Sequence, residues 1–268
     1  MHRRNTHRVL SILLMFFVVS TLLFVGGLKV ANAKSSSYAL SSYEKNLLQN
    51  LAFKGWKGYN VKEVDLVAEV QIRVAGWVNN TDELMAIDGY MGPQTRRAIR
   101  NFNIAYGIGN TDRIIYSTAQ MLNWLENDDG STAHFNFSEF ACKKGNPYTL
   151  SVWYGTTPKQ LSYGWAKLSP NDVKENLRRL MWRLEAVRTK LGNNPIKINS
   201  GFRYYTYNKK IGGAKNSQHI YGNAADIVVR NVSPSKVYKV ARESSFGGIG
   251  LYNSFVHVDT RNYVARWK

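Results

Sequence analysis

The chain has 268 residues, 44% of them apolar, and a formal net charge of +18. That length allows one or two domains, and the composition excludes a disordered or fibrous chain. Four of the 36 basic residues (Arg3, Arg4, Arg8 and Lys29) and no acid fall in residues 1–33, so the remainder carries 32 basic against 18 acidic residues. Such an excess suits polyanionic surroundings, nucleic acid or an anionic bacterial wall, although solubility alone would also account for it. The single Cys142 excludes an intrachain disulfide, and a small buried residue is its expected role.

Arg3, Arg4 and Arg8 precede a nearly continuous apolar run, Val9 to Val25, and Ala31-Asn32-Ala33 follows as an A-x-A site. This pattern predicts a secretory signal peptide over 1–33. An uncleaved anchor is the alternative, because the run approaches spanning length. With cleavage, no stable membrane insertion is expected. Residues 34–42, with Ser35-Ser36-Ser37, read as a polar linker.

Residues 43–126 form a first unit. Val64, Val67, Val70 and Val74 recur at helical spacing and close at Gly76. The turn Asp88-Gly89 leads to Gly92-Pro93, where Pro93 sits at a first helical position. Ala98, Phe102 and Ala105 continue one face of that helix, and a third helix is expected over about Ser117 to Leu125. Residues 127–133 are polar and turn-rich, a second linker.

The second domain spans 134–268. His134 is expected to be a structural hydrogen-bonding residue. The aromatic-rich stretch from Asn146 to Lys167 reads either as a loop near a cleft or as a surface insertion. Ser169-Pro170 starts a helix, and Leu177, Leu180, Leu184, Val187 and Leu191 form its apolar stripe. Ile196 to Ile198 alternates as a strand, Ser233-Pro234 starts another helix, and Gly247-Gly248-Ile249-Gly250 reads as a strand with close backbone approaches. The class expected is α+β with a small, mainly antiparallel sheet.

The stretch from Ser200 to Asp259 holds the residues that carry chemistry. Of five histidines, His2 and His7 lie in the predicted signal, leaving His134, His219 and His257. Phe255 to Thr260 alternates, so His257 and Asp259 share a face. Asp226 interrupts an apolar strand, Ala224 to Val229, and an acid there needs a partner. A metal ion would serve, and so would an arginine.

Several motifs then occur in a familiar order: Ser200-Gly201-Phe202-Arg203, Tyr207-Asn208, Gly212-Gly213-Ala214, Ser217-Gln218-His219, Gly222, Ala224-Ala225-Asp226-Ile227, Gly247 to Gly250, and Phe255-Val256-His257-Val258-Asp259. From about His134 to Trp267 the chain resembles the M15 family of zinc peptidases, which includes D-Ala-D-Ala carboxypeptidases and murein endopeptidases. The helix, DG-x-x-GP-x-T turn and helix of 43–126 resemble the small three-helix peptidoglycan-binding domain found beside many wall hydrolases. A helical domain with no ligand is the alternative there.

The resemblance implies Zn2+ held by His219, Asp226 and His257, with Arg203 binding a substrate carboxylate and Ser217 hydrogen-bonding near the zinc or the substrate. Many relatives place a general base three residues before the last histidine. Here that residue is Ser254, which cannot serve. Asp259 is then the catalytic candidate, with an orienting role on a ligand histidine as its rival and a site without a protein base as a third arrangement. The implied function is a secreted, monomeric, wall-associated zinc peptidase cutting stems or cross-links of peptidoglycan, endopeptidase before carboxypeptidase. A non-catalytic, metal-containing wall-binding protein is the alternative. A nucleic-acid-binding role is opposed by the signal and by the lack of any such motif. Removing residues 43–126 is expected to weaken wall association more than activity on small peptides.

Overall fold

A capping box opens the described part of the chain. Ser41 Oγ accepts the Glu44 N–H at 3.2 Å, and Glu44 Oε2 accepts the Ser41 N–H at 2.9 Å. This starts a short helix, α1 (Ser42–Leu47), continued by a wider turn at Leu48–Ala52. Three longer helices follow: α2 (Glu63–Val74), α3 (Pro93–Ala105) and α4 (Tyr116–Trp124). The computed structural model describes residues 39–52, 63–142, 168 and 170–268, which belong to one compact unit, Ser37–Lys268. The predicted signal peptide, the stretch 146–167 and the cap Ser169 lie outside the described residues.

The helical region therefore has four α-helices among the described residues where the sequence predicts three. Six residues are too few to show a helical period, so α1 is visible only through its cap. Val67, Val70 and Val74 of α2 are buried with Leu66, and Ala98, Ile99 and Phe102 of α3 pack in the same cluster. Ala105, expected on that face, is exposed at the end of α3, where the helix runs past the core. The Asp88-Gly89 turn is held by one buried amide. Gln71 Oε1 accepts the N–H groups of Asp88 and Gly89 at 3.0 and 2.9 Å, and its Nε2 donates to Asp88 Oδ1 at 2.7 Å.

Between the helical region and the sheet, Ser131 and Thr132 are buried, and Asn127 Nδ2 donates to the Thr132 carbonyl at 2.6 Å. Then comes α5 (Pro170–Lys190). Its predicted stripe, Leu177, Leu180, Leu184, Val187 and the following Leu191, is buried against the sheet. Its other side buries Trp182 and Ala186 in the core of the helical region. One helix thus serves two hydrophobic clusters. A Cβ on Gly76 would overlap Ala186, so the chain after α2 lies directly on α5. Polar contacts follow the same seam: Arg178 to Glu69 at 2.9 Å, Lys190 Nζ to the Gly76 carbonyl at 2.8 Å, and Asp82 to Arg242 and Arg266 at 2.6 and 2.7 Å.

The rest of the chain contributes β1 (Ile196–Ser200), α6 (Tyr205–Lys210), β2 (Ala224–Val229), α7 (Pro234–Arg242), β3 (Gly248–Leu251), β4 (Val256–Asp259) and β5 (Ala265–Trp267). The sheet order is β1-β2-β4-β3-β5, antiparallel except for β3 with β5. This is the small, mainly antiparallel sheet expected from the sequence. Its register aligns one row across all five strands: Ser200, Asp226, His257, Gly250 and Trp267. Residues in register share a face, and neighbours along a strand point the other way. The buried Ala225, Ile227, Val256, Val258 and Ile249 accordingly join the core cluster with α5 and α7. The opposite face carries the polar row.

Candidate metal centre and active site

Three elements bring the donors together. The 3-10 turn Gln218–Tyr221 presents His219, β2 presents Asp226, and β4 presents His257 directly opposite Asp226. The turn is tied to the chain after β1, because the Arg203 N–H donates to the His219 carbonyl at 3.0 Å. Among the described residues, His219, Asp226 and His257 form the one group of histidine, cysteine and acid side chains close enough to hold a metal ion.

The hydrogen bonds decide which atoms face inward. His219 Nδ1 lies 2.7 Å from the Gly201 carbonyl, which can only accept, so Nδ1 carries the proton and Nε2 keeps its lone pair. His257 Nε2 lies 3.1 Å from Asp259 Oδ2, so Nε2–H donates there and Nδ1 faces the cluster. Asp226 Oδ2 accepts from Arg203 Nη2 at 2.6 Å, which leaves Oδ1 inward. His219 Nε2, His257 Nδ1 and Asp226 Oδ1 are then separated by 3.2, 3.0 and 3.3 Å. A tetrahedral ion bound about 2.0–2.1 Å from each ligand has ligand–ligand edges of about 3.3–3.4 Å. Three lone pairs at this spacing repel unless a cation lies among them, so the donor set fits such an ion.

Burial pushes the Asp226 carboxyl up, but hydrogen bonds and charge from His219 and His257 in their protonated forms would outweigh it and hold the carboxyl well below its usual range. Burial lowers His219, which favours the neutral, ligating imidazole. His257 is lowered by burial, but Asp226 and Asp259 outweigh that and raise it.

Asp259 is 0% exposed. Its Oδ1 accepts the Gly248 N–H at 3.0 Å, the Arg261 N–H at 3.1 Å and Arg261 Nε at 2.7 Å. Its Oδ2 accepts Arg261 Nη2 at 2.6 Å besides His257. Burial raises this carboxyl, and the His257 and Arg261 hydrogen bonds bring it down to about 2. The sheet makes room for these groups with glycine. A Cβ at Gly248 would overlap the Asp259 carboxylate, and one at Gly250 would overlap the Trp267 indole. Trp267 in turn lies 5.2 Å from the His257 ring and donates Nε1–H to the Tyr252 hydroxyl at 3.0 Å.

Five of the six residues singled out from the sequence therefore meet at one place: His219, Asp226, His257, Asp259 and Arg203. Ser217 begins the turn that carries His219, and its side chain makes no capping hydrogen bond. Arg203 pairs with Asp226, the arginine partner considered from the sequence, and Nε donates to Ser200 Oγ at 2.8 Å. His134 stands apart, with Nδ1 2.8 Å from Glu185, in the structural role expected. Sequence reasoning did not find Arg261 or Trp267. The glycines at 247, 248 and 250 signal that something lies close to that strand, but only the register says what.

Comparison with known proteins is consistent with this arrangement. The family described as peptidase M15 matches residues 153–259. The zinc D-Ala-D-Ala carboxypeptidase of Streptomyces albus G is 33% identical over 200 residues, covering 72% of this chain and 71% of that protein. The probable peptidoglycan L,D-endopeptidase MepK of Haemophilus influenzae is 34% identical over 119 residues, covering 41% of this chain and 63% of that protein. MepK of Escherichia coli is 34% identical over 73 residues, covering 25% and 40%. Identity of about a third sustained over more than two thirds of both chains in the first comparison is a family relationship: this protein is a member of the M15 family of peptidases.

Proposed function

We propose that the chain is a zinc metallopeptidase acting on the peptide part of bacterial peptidoglycan. The observation that carries this is the convergence of His219 Nε2, His257 Nδ1 and Asp226 Oδ1, each fixed from behind by its own partner. Zinc held by three protein ligands leaves a position for water, whose pKa it lowers toward neutrality, and polarises a bound carbonyl. Relatives named as a zinc D-Ala-D-Ala carboxypeptidase and as peptidoglycan L,D-endopeptidases support both the metal and the substrate class.

The chain's own residues divide the remaining work. Gly201, Asp259 and Arg203 hold the three ligands with their donor atoms inward. Asp259 is assigned the orienting role, because both its oxygens are engaged and none of it reaches solvent. A general base must reach the attacking water, and Asp259 has no lone pair directed there. Ser254 stands where many relatives have an acid, so proton transfer here relies on no carboxylate at either position. Arg203 is a positioning residue for Asp226, and a substrate carboxylate would have to compete with that 2.6 Å pair.

We take the enzyme to be a wall-associated, extracytoplasmic endopeptidase, with the helical region 43–126 contacting the polymer. The predicted signal and the basic composition support that location. No helix among the described residues is long and apolar enough to cross a membrane. The test is mass spectrometry of fragments released from purified peptidoglycan by the zinc-loaded chain, with His257→Ala as control. New internal peptide ends made by the wild type alone are expected. Release of D-alanine alone would make it a carboxypeptidase, and an unchanged fragment pattern on several wall types would leave a non-catalytic wall-binding protein.

A further inference from the structure

We infer that Arg261 is a positioning residue of the metal centre: through Asp259 it holds His257 in the tautomer that turns Nδ1 toward Asp226 and His219. The inference rests on the zinc reading above and adds a residue that the ligand motifs do not contain.

The chain of contacts begins at the ligand. His257 Nε2–H donates to Asp259 Oδ2 at 3.1 Å. A buried carboxylate with a single donor would be costly and free to rotate. Asp259 is neither, because Arg261 grips both of its oxygens, Nε on Oδ1 and Nη2 on Oδ2, while the N–H groups of Gly248 and Arg261 fill further positions on Oδ1. A planar guanidinium fork fixes a carboxylate in orientation as well as in position. What remains on Oδ2 is a direction toward His257.

The fork is itself held. Arg261 lies 5.5 Å from the Trp267 ring and 5.4 Å from the Tyr263 ring, and Nη1 donates to the Tyr263 hydroxyl at 3.3 Å. Such cation–π contacts favour a guanidinium over an ammonium. Trp267 also touches His257, so the ligand ring and the guanidinium share one aromatic neighbour. The strand opposite leaves space for the assembly. A Cβ at Gly247 would overlap the Arg261 carbonyl, and one at Gly248 the Asp259 carboxylate.

A plain structural ion pair between residues two apart at the end of β4 is the competing account, and zinc affinity separates the two. The full chain would be stripped of metal and its zinc affinity measured by competition with a chromophoric chelator, for wild type, Arg261→Ala and Arg261→Lys. The visible spectrum of the cobalt-substituted forms would report ligand geometry. Loss of an outer partner typically weakens metal affinity about 10–100-fold. Arg261→Ala is expected in that range with an altered cobalt spectrum, and Arg261→Lys is expected to fall between it and wild type. A structural pair would lower the unfolding temperature of the metal-free chain and leave zinc affinity unchanged. Wild-type affinity in Arg261→Ala would overturn the inference. If that variant does not fold without metal, wild-type affinity in Arg261→Lys overturns it instead. A wild-type chain that binds no zinc would sink the metal reading itself, a distinguishable result.

Discussion

Each inward-facing donor of the metal centre is chosen by a hydrogen bond on its far side, so the ligands and their partners should separate in experiment. His219→Ala or His257→Ala removes a ligand, and either should abolish stoichiometric zinc in the purified chain by elemental analysis. A full equivalent retained by either variant would remove that residue as a ligand. Asp259→Asn keeps the size but weakens the acceptor for His257 Nε2–H, so it should lower zinc affinity about 10–100-fold. Turnover at saturating zinc should then largely recover. Were Asp259 the base, turnover would stay down by at least about a hundredfold at any zinc concentration. Far from the site, Glu44 makes a second residue-level case. It is buried and accepts from Arg96 at 2.6 Å and from the Ile114 N–H at 3.0 Å. Burial raises its carboxyl, and the Arg96, Ser41 and Ile114 hydrogen bonds with the Arg96 charge bring it below its ordinary value. A depressed carboxylate stabilises the fold above the ordinary carboxylate range, and that contribution is lost as pH falls through it toward the folded-state value. Glu44→Gln should therefore flatten the acid side of a plot of unfolding temperature against pH. Glu44→Ala, which leaves Arg96 unpaired, should cost on the order of 3 kcal/mol in denaturant unfolding.

At the scale of elements, α5 and β3 do more than their sequence patterns announce. The leucine stripe of α5 predicts one buried face, and Trp182 and Ala186 supply a second against the helical region. A period search finds one stripe readily, whereas a tryptophan on the other side reads equally well as exposed. Trp182→Ala should cost about 3–5 kcal/mol, the usual loss for a large buried aromatic. A loss below about 1 kcal/mol would mean that the seam is not packed as described. β3 is a glycine-rich strand because outer groups of the site lie against its backbone. Gly248→Ala would push the Asp259 carboxylate away and should lower zinc affinity together with stability, read by the same chelator competition. Gly250→Ala acts on Trp267 instead, and its effect on zinc should be the smaller.

For the whole molecule, the sequence predicts a peptidase domain and a helical domain joined by a linker, with the helical part removable. Both parts lie within one compact unit. Trp182 and Ala186 of α5 belong to the helical core, and Lys190, Asp82 and Arg178 make polar contacts across the same seam. Truncation to residues 127–268 should therefore expose an apolar face on α5 and lower the unfolding temperature of the remainder. Wall pelleting and small-peptide turnover would then fall together. A truncated chain that keeps its wild-type unfolding temperature and soluble-peptide activity would restore the separable arrangement.

Local pattern was enough for much of this protein. Motif order placed the chain in its family, period-2 alternation put His257 and Asp259 on one face, an acid inside an apolar strand marked Asp226, and Pro93 and Pro170 marked helix starts. These features are legible because a strand's or a helix's period is a property of neighbouring residues. Only the tertiary structure decided which nitrogen of each histidine faces the centre, that Asp259 is closed off by Arg261, and that Trp267 shares a row with the ligands. Each of these depends on strand register or on a contact between residues distant in the chain, as when Gly201 meets His219 or Trp267 crosses Gly250. Spacing along a sequence sets which way a side chain points from its own strand, but the partner it finds there is set by the neighbouring strand's alignment.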